Sequence, residues 1–284
     1  MAANNYPLEV RGLTKKYPSF TLKDISFALS PGTITGFIGR NGAGKTTTLN
    51  SILGFVKRDG GQVLFSGLDL DGHADEIKQR LGFVSAGMTY YTRKKLKVIT
   101  DVTRAFYTSW DEKVYRQYME KFGLEEAKTP SELSNGMKIK YALALALSHG
   151  ADTLLLDEPT SGLDPISREE LIEIFLDLRD GGRTILFSTH ITSDLEKCAD
   201  RILFIQKGSL TADQPLDAFS DAYCLVECPE EIPDQVRALA LGQCRIRGGH
   251  TVLIRKEDAG AVSLPVRKPE LDEIMTHLEK EDVK

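Results

Sequence analysis

Gly39-Arg40-Asn41-Gly42-Ala43-Gly44-Lys45-Thr46-Thr47 decides how this chain is read. It fits G-x-x-x-x-G-K-[ST], a loop that cradles phosphate groups. Ile34-Thr35-Gly36-Phe37-Ile38 precedes it and reads as a buried strand, while Thr47-Thr48-Leu49-Asn50-Ser51-Ile52-Leu53 reads as a helix. In a strand–loop–helix setting, backbone N–H groups converge at a helix N-terminus and form an anion nest. Glycines let the backbone approach a phosphate without a Cβ in the way. Lys45 is expected to reach the β- and γ-phosphates of a nucleotide and the Thr46 hydroxyl to ligate Mg²⁺, with Asn41, Gly42, Gly44 and Thr47 completing the cradle.

Working outward, Leu154-Leu155-Leu156-Asp157-Glu158 is an apolar strand ending in two acids. An acid at the carboxyl end of a strand beside such a loop suits Mg²⁺, which assigns Asp157 to the metal. Glu158 is then placed to polarise an attacking water. Leu133-Ser134-Asn135-Gly136-Met137-Lys138 opens a helix, with Ser134 as N-cap and Gly136 giving an anion access to the backbone. His190 follows Thr184-Ile185-Leu186-Phe187-Ser188-Thr189, at the end of another strand, where it can sense a γ-phosphate.

The periodicity predicts antiparallel strands at 8–13, 22–29 and 62–67, and an all-helical insertion at about 88–150 with helices over 98–110, 112–122 and 137–149. Strand, helix (167–179) and strand then imply a parallel sheet. Near the C-terminus, strands at 224–228 and 251–255 alternate with helices over 232–241 and 270–280. The expected fold class is α/β: a phosphate-loop nucleotidase cassette (1–215) with a mixed sheet and helical insertion, then a small α+β appendage (216–284).

Composition narrows the function classes. With 41% hydrophobic and 27% charged residues the chain reads as a soluble globular protein. A net charge of −5 disfavours a dominant nucleic-acid role, and Arg93-Lys94-Lys95-Leu96-Lys97 reads as a solvated stretch. No apolar run reaches the ~18 residues a membrane span needs, and the N-terminus lacks a signal-peptide pattern. Cys198, Cys224, Cys228 and Cys244 read as reduced thiols, because no second cysteine or histidine pair completes a zinc set.

These motifs together resemble the ATP-binding subunit of an ABC transporter across about 8–210. Residues 39–46 resemble the Walker A loop, 133–137 the family signature (usually Leu-Ser-Gly-Gly-Gln), and 154–158 Walker B with its glutamate. Ser161-Gly162-Leu163-Asp164 resembles the D-loop, His190 the switch histidine and Tyr17 the aromatic that stacks on adenine. Two departures stand out. Asn135 and Met137 replace the usual Gly and Gln of the signature, and Ala86 or Gly87 stands where the family's Q-loop places Gln. The resemblance implies ATP and Mg²⁺ as cofactors, catalytic Glu158, His190 and Lys45, and a second ATP-binding subunit, as homodimer or heterodimer. It also implies a separate transmembrane permease that holds the chain at the cytoplasmic face of the cell membrane, with no nucleic-acid partner. The permease would dock on the insertion, rich in Tyr90, Tyr91, Phe106, Tyr107, Trp110, Tyr115 and Tyr118. The short N-terminal layout and Gly87-Met88-Thr89-Tyr90-Tyr91 resemble bacterial ABC-2-type exporters, including those of phenol-soluble modulins, which implies export of amphipathic peptides. The alternative is a family ATPase of translation or DNA repair; the single uninterrupted cassette and the acidic balance count against it.

Overall fold

A computed structural model describes residues 6–85 and 91–280. Three sheets organise it. The first is antiparallel, in the order β2-β1-β4-β5: β1 (Glu9–Tyr17), β2 (Phe20–Ala28), β4 (Gly60–Phe65) and β5 (Leu68–Asp69). The central sheet runs β10-β9-β3-β8-β7-β6: β3 (Ile34–Ile38), β6 (Leu81–Ser85), β7 (Thr153–Asp157), β8 (Thr184–Thr189), β9 (Arg201–Gln206) and β10 (Ser209–Pro215). Its neighbours are parallel except β9 with β10.

Strands buried on both faces read as continuous apolar runs, and their side chains alternate between two cores. Phe37, Leu155, Leu186 and Leu203 point to one core, shared with Leu13, Ile25 and Val63 of the antiparallel sheet. Leu154, Leu156, Ile185, Phe187, Ile202 and Phe204 point to the other, which the helices cover.

The helices are α1 (Lys45–Ile52), α2 (Leu70–Arg80), α3 (Leu96–Arg104), α4 (Glu112–Lys121), α5 (Asn135–Ser148), α6 (Pro165–Asp180) and α7 (Thr192–Cys198). Every residue of α5 from Tyr141 to its end is buried, so it forms the spine of the helical arm. The helix expected over 98–110 stops at Arg104. Gln79 explains this: its side-chain amide donates to the Phe106 carbonyl and its oxygen accepts from Thr108 N–H, which holds this stretch as a turn. α2 was not legible in the apolar pattern, because only Leu70 and Ile77 are buried.

The third sheet, β12-β13-β11-β14, comprises β11 (Tyr223–Cys228), β12 (Gly242–Ile246), β13 (Gly249–Arg255) and β14 (Val266–Arg267), with α8 (Leu216–Asp221), α9 (Asp234–Leu239) and α10 (Leu271–Glu279) around it. The helix expected over 232–241 is shorter, since Pro233 takes its N-cap position. This region has a small core of its own around Val226, Ile232, Val236 and Val252. Leu216, Phe219, Leu253, Leu271, Ile274 and Met275 join the helix-covered core of the cassette, so the junction near 215 is continuous packing. Among the described residues no helix is long and apolar enough to cross a membrane.

Candidate functional site

The glycine loop leaves β3 and closes onto α1 by tight contacts. Gly39 has φ +157°, and a Cβ there would lie 2.3 Å from the Ile205 carbonyl oxygen. Gly44, at φ +118°, would carry a Cβ 2.6 Å from Leu22 and 2.9 Å from Phe20. Only glycine fits at either position. Ala43 N–H donates to the Arg40 carbonyl (3.0 Å), and Gly208 N–H to the Ala43 carbonyl (3.0 Å), which tethers the loop to the β9–β10 turn.

Lys45 is 6% exposed, and its ammonium donates to the Gly39 carbonyl at 2.7 Å. It also lies 3.5 Å from Glu158 Oε1. Glu158 sits one residue past β7 at φ +52°, a left-handed conformation uncommon for a residue with a Cβ. Its N–H donates to the Ser188 carbonyl at 3.0 Å, so the ladder between β7 and β8 extends beyond the strand end. His190 Nδ1 lies 2.6 Å from Glu158 Oε2. A carboxylate only accepts, so Nδ1 carries the proton and Nε2 points elsewhere.

Asp157 pairs in register with Ser188, whose hydroxyl donates to Asp157 Oδ1 at 2.6 Å. Burial pushes the Asp157 carboxyl above its ordinary range, against the Ser188 hydrogen bond; Glu158 adds to the rise, while Lys45 and the Thr46 hydroxyl oppose it. Thr46 and Asp157 are thus adjacent hard oxygen donors. Among the described residues no cluster of three His, Cys, Asp or Glu side chains can hold a metal alone. A dication here would complete its shell with phosphate oxygens and water, the habit of Mg²⁺.

A cavity of about 650 Å³ opens over the loop, lined by Ser19, Phe20, Arg40, Asn41, Gly42, Gly44, Lys45, Thr46, Thr47, Glu158, Ser161 and His190. This matches the size of small-molecule sites.

Residues 22–161 match the family model described as ABC transporter. The chain is 31% identical over 222 residues to the ABC transporter ATP-binding protein YtrB of Bacillus subtilis (strain 168), covering 78% of this chain and 76% of that protein. This chain belongs to the ABC transporter family. It is 33% identical over 214 residues to the bacitracin transport ATP-binding protein BcrA of Bacillus licheniformis, covering 74% of this chain and 70% of that one. A solved structure titled as the ATP-binding subunit of an ABC transporter superposes with a TM-score of 0.67 at 27% identity, covering 74% of this chain and 90% of that one. The chain is accordingly an ATP-binding subunit of an ABC transporter, and its reaction is ATP hydrolysis coupled to transport.

Within this ABC cassette the sequence-predicted residues fall into two groups. Lys45, Thr46, Glu158 and His190 converge at the cavity, with Asp157 behind them. Ser134, Gly136 and Asp164 do not line it. Ser134 caps α5 by accepting from Met137 N–H at 3.2 Å. A Cβ on Gly136 would meet Ser167 and Leu163 at ordinary contact distances, so the signature packs on the D-loop helix α6. Asp164 caps α6, accepting from Ile166 and Ser167 N–H and from the Ser167 hydroxyl at 2.6 Å. The hydroxyl hydrogen bond is the main cause that holds its carboxyl below the ordinary range.

Tyr17 ends β1 and pairs in register with Phe20. Its ring is 41% exposed under the Lys15 ammonium, and Ser19 and Phe20 line the cavity in its place. Arg40 of the glycine loop and Ser161 of the D-loop stretch also line the cavity, while Ser188 was missed by sequence reasoning and only the strand register singles it out. The Q-loop positions Ala86 and Gly87, and Tyr90, lie outside the described residues. Of the insertion aromatics, Tyr91 and Phe106 are exposed, Tyr115 is buried, and Tyr107 stacks on His149.

Proposed function

We propose that Lys45, Glu158 and His190 carry the ATP hydrolysis of this exporter subunit, in a dimer of cassettes that drives a separate permease. The observation that carries this reading is Glu158, held between the Lys45 ammonium and the His190 ring at the mouth of the phosphate loop. Lys45 binds the β- and γ-phosphates, and the loop N–H groups take the remaining charge. Glu158 orients the attacking water, and His190 fixes the carboxylate and meets the γ-phosphate. Thr46 and Asp157 would hold Mg²⁺, which when bound neutralises charge on the β- and γ-phosphates.

The dimer reading rests on the separation of the two groups of residues. Ser134 and Asp164 cap helices and Gly136 lies in the first turn of α5, all away from the cavity of their own chain, which leaves this helix N-terminus to the ATP of a second subunit. The permease reading is supported by the exposed Tyr91, Val98, Val102 and Phe106 of the helical arm, of which Val98 and Val102 lie one turn apart on α3 and Phe106 follows its end. It places the chain at the cytoplasmic face of the cell membrane. Cargo of the amphipathic-peptide class is proposed from the sequence resemblance, alongside the relative named for bacitracin transport. The region 216–284 is proposed as a regulatory or dimerisation appendage, because α10 packs near the loop, with Glu279 Oε2 4.0 Å from Arg40 Nε.

The test is ATP hydrolysis by the full chain with and without Mg²⁺, beside Glu158→Gln, with size-exclusion profiles in ATP. Turnover that depends on Mg²⁺ and Glu158, with an ATP-trapped dimer of the variant, is expected. Undiminished turnover in Glu158→Gln removes Glu158 from its role.

A further inference from the structure

Two loops flank the site: residues 158–164, which run from Glu158 to Asp164, the cap of α6, and the loop after β8 that carries His190. They hold or lead into three polar side chains with buried polar atoms that do not line the cavity. Thr160 follows Glu158 and is fully buried. Arg168 lies one turn into α6, which Asp164 caps. Asp194 lies on α7, one turn past His190, and is 1% exposed.

Arg168 Nε stands 3.8 Å from Asp194 Oδ1. Arg168 Nε, Asp194 Oδ2 and the Thr160 hydroxyl are buried, and none completes a hydrogen bond at 3.5 Å or less. Burial raises the Asp194 carboxyl above its ordinary range, while the nearby Thr160 hydroxyl and Arg168 pull it down. α7 is seated firmly: Leu195 fills the space beside Gly36 of β3, where a Cβ would lie 2.7 Å from a Leu195 methyl. The position of Asp194 is therefore set by the central sheet.

We propose that Arg168, Asp194 and Thr160 form a polar brace that holds the loop of Glu158 and Asp164 and the loop of His190 in one register, making them positioning residues for hydrolysis. The inference rests on the catalytic reading of Glu158 and His190 above. Stability alone does not account for the trio. Buried polar atoms with incomplete hydrogen bonds are costly, and an apolar set of similar volume commonly packs at least as well. What such a set lacks is direction. A charge pair and a hydroxyl hold the β7–α6 connection and α7 in one relative placement, and small errors of placement at a reacting centre lower rate steeply.

The experiment uses the full chain in two variants, Thr160→Val and the double variant Arg168→Leu with Asp194→Leu, beside Glu158→Gln. Amide hydrogen exchange is followed at 158–164 and 189–194, with melting temperature, kcat and KM for ATP. The brace predicts exchange faster by about tenfold in both segments in each variant, an unchanged or higher melting temperature, and kcat lower by about 10- to 100-fold at constant KM. Faster exchange confined to the substituted segment, or a lower melting temperature with wild-type kcat, overturns it. If Glu158→Gln retains turnover, the catalytic reading fails first; if that variant is inactive while the double variant keeps wild-type exchange and kcat, the brace alone fails.

Discussion

Glu158 and His190 meet at 2.6 Å, Oε2 to Nδ1, although they leave the ends of two neighbouring strands. The contact exists because Glu158 adopts a left-handed backbone conformation that turns its side chain back towards the loop. One carboxylate oxygen is thereby committed to His190, and the other faces Lys45 at 3.5 Å.

Replacing Glu158 by Gln keeps the shape and removes the proposed base. Turnover is expected to fall by about 10²- to 10⁴-fold, the usual contribution of general base catalysis. ATP affinity is expected to stay within a few-fold. Steady-state phosphate release and equilibrium binding of a fluorescent ATP analogue check the two arms separately.

Gly44→Ala tests the loop. The added methyl would meet Leu22 and Phe20 inside 3.0 Å, at a φ that disfavours alanine. A loss of about 1–3 kcal/mol, the range for overpacking, is expected in urea denaturation, together with weaker nucleotide binding. An alanine variant with wild-type stability and affinity would show that the loop has room to spare.

Thr100→Val tests the helical arm. The Thr100 hydroxyl lies 2.8 Å from the Tyr141 hydroxyl and 3.0 Å from that of Tyr115, all three residues being buried. Tyr141 donates to the Leu96 carbonyl, so Thr100 donates to Tyr141. Valine keeps the volume and leaves both tyrosines one partner short, at a cost of about 1–3 kcal/mol. Chemical denaturation reads this directly, and ATP binding is expected to be unaffected.

His149 gives the arm a pH dependence. Its ring stacks on Tyr107 with centroids 3.8 Å apart, and Nδ1 donates to the Gln79 carbonyl at 3.0 Å. Burial lowers its pKa below the ordinary 6.5. The fold thus favours the neutral ring, and the unfolded chain binds the proton more readily. The stabilising contribution is complete above the unfolded pKa and is lost as pH falls through the folded one. Urea midpoints are expected to drop on going from about pH 7.5 to about pH 5.5, and His149→Phe, which keeps the stacking, is expected to flatten that slope.

Glu279→Gln probes the appendage. Its contact with Arg40 is long and partly solvated, a class of ion pair worth about 0.2–1 kcal/mol. A change in ATP affinity of up to about fivefold is expected, read by titration; none at all would detach α10 from the loop.

The phosphate loop, the Asp157-Glu158 strand end and His190 were legible because their requirements are local. A run of glycines before a helix, or an apolar strand closing on acids, states its geometry within a few residues. The helix end at Arg104 was not legible, because Gln79, distant in sequence, supplies the hydrogen bonds that stop it. Tyr17 and Phe20 could not be told apart either, since both flank the same tight turn and only the turn's placement decides which ring faces the cavity.

Sequence by itself therefore determined the cassette, its phosphate loop and the identity of the acids and histidine, through short-range spacing and the steric demands of glycine. Tertiary structure alone decided that Asp157 pairs with Ser188, that Glu158 turns back between Lys45 and His190, that Arg168 faces Asp194, and that α10 closes on the loop. Those relations join segments far apart in the chain. Strand register and core packing fix them, and neither is written in any local stretch of residues.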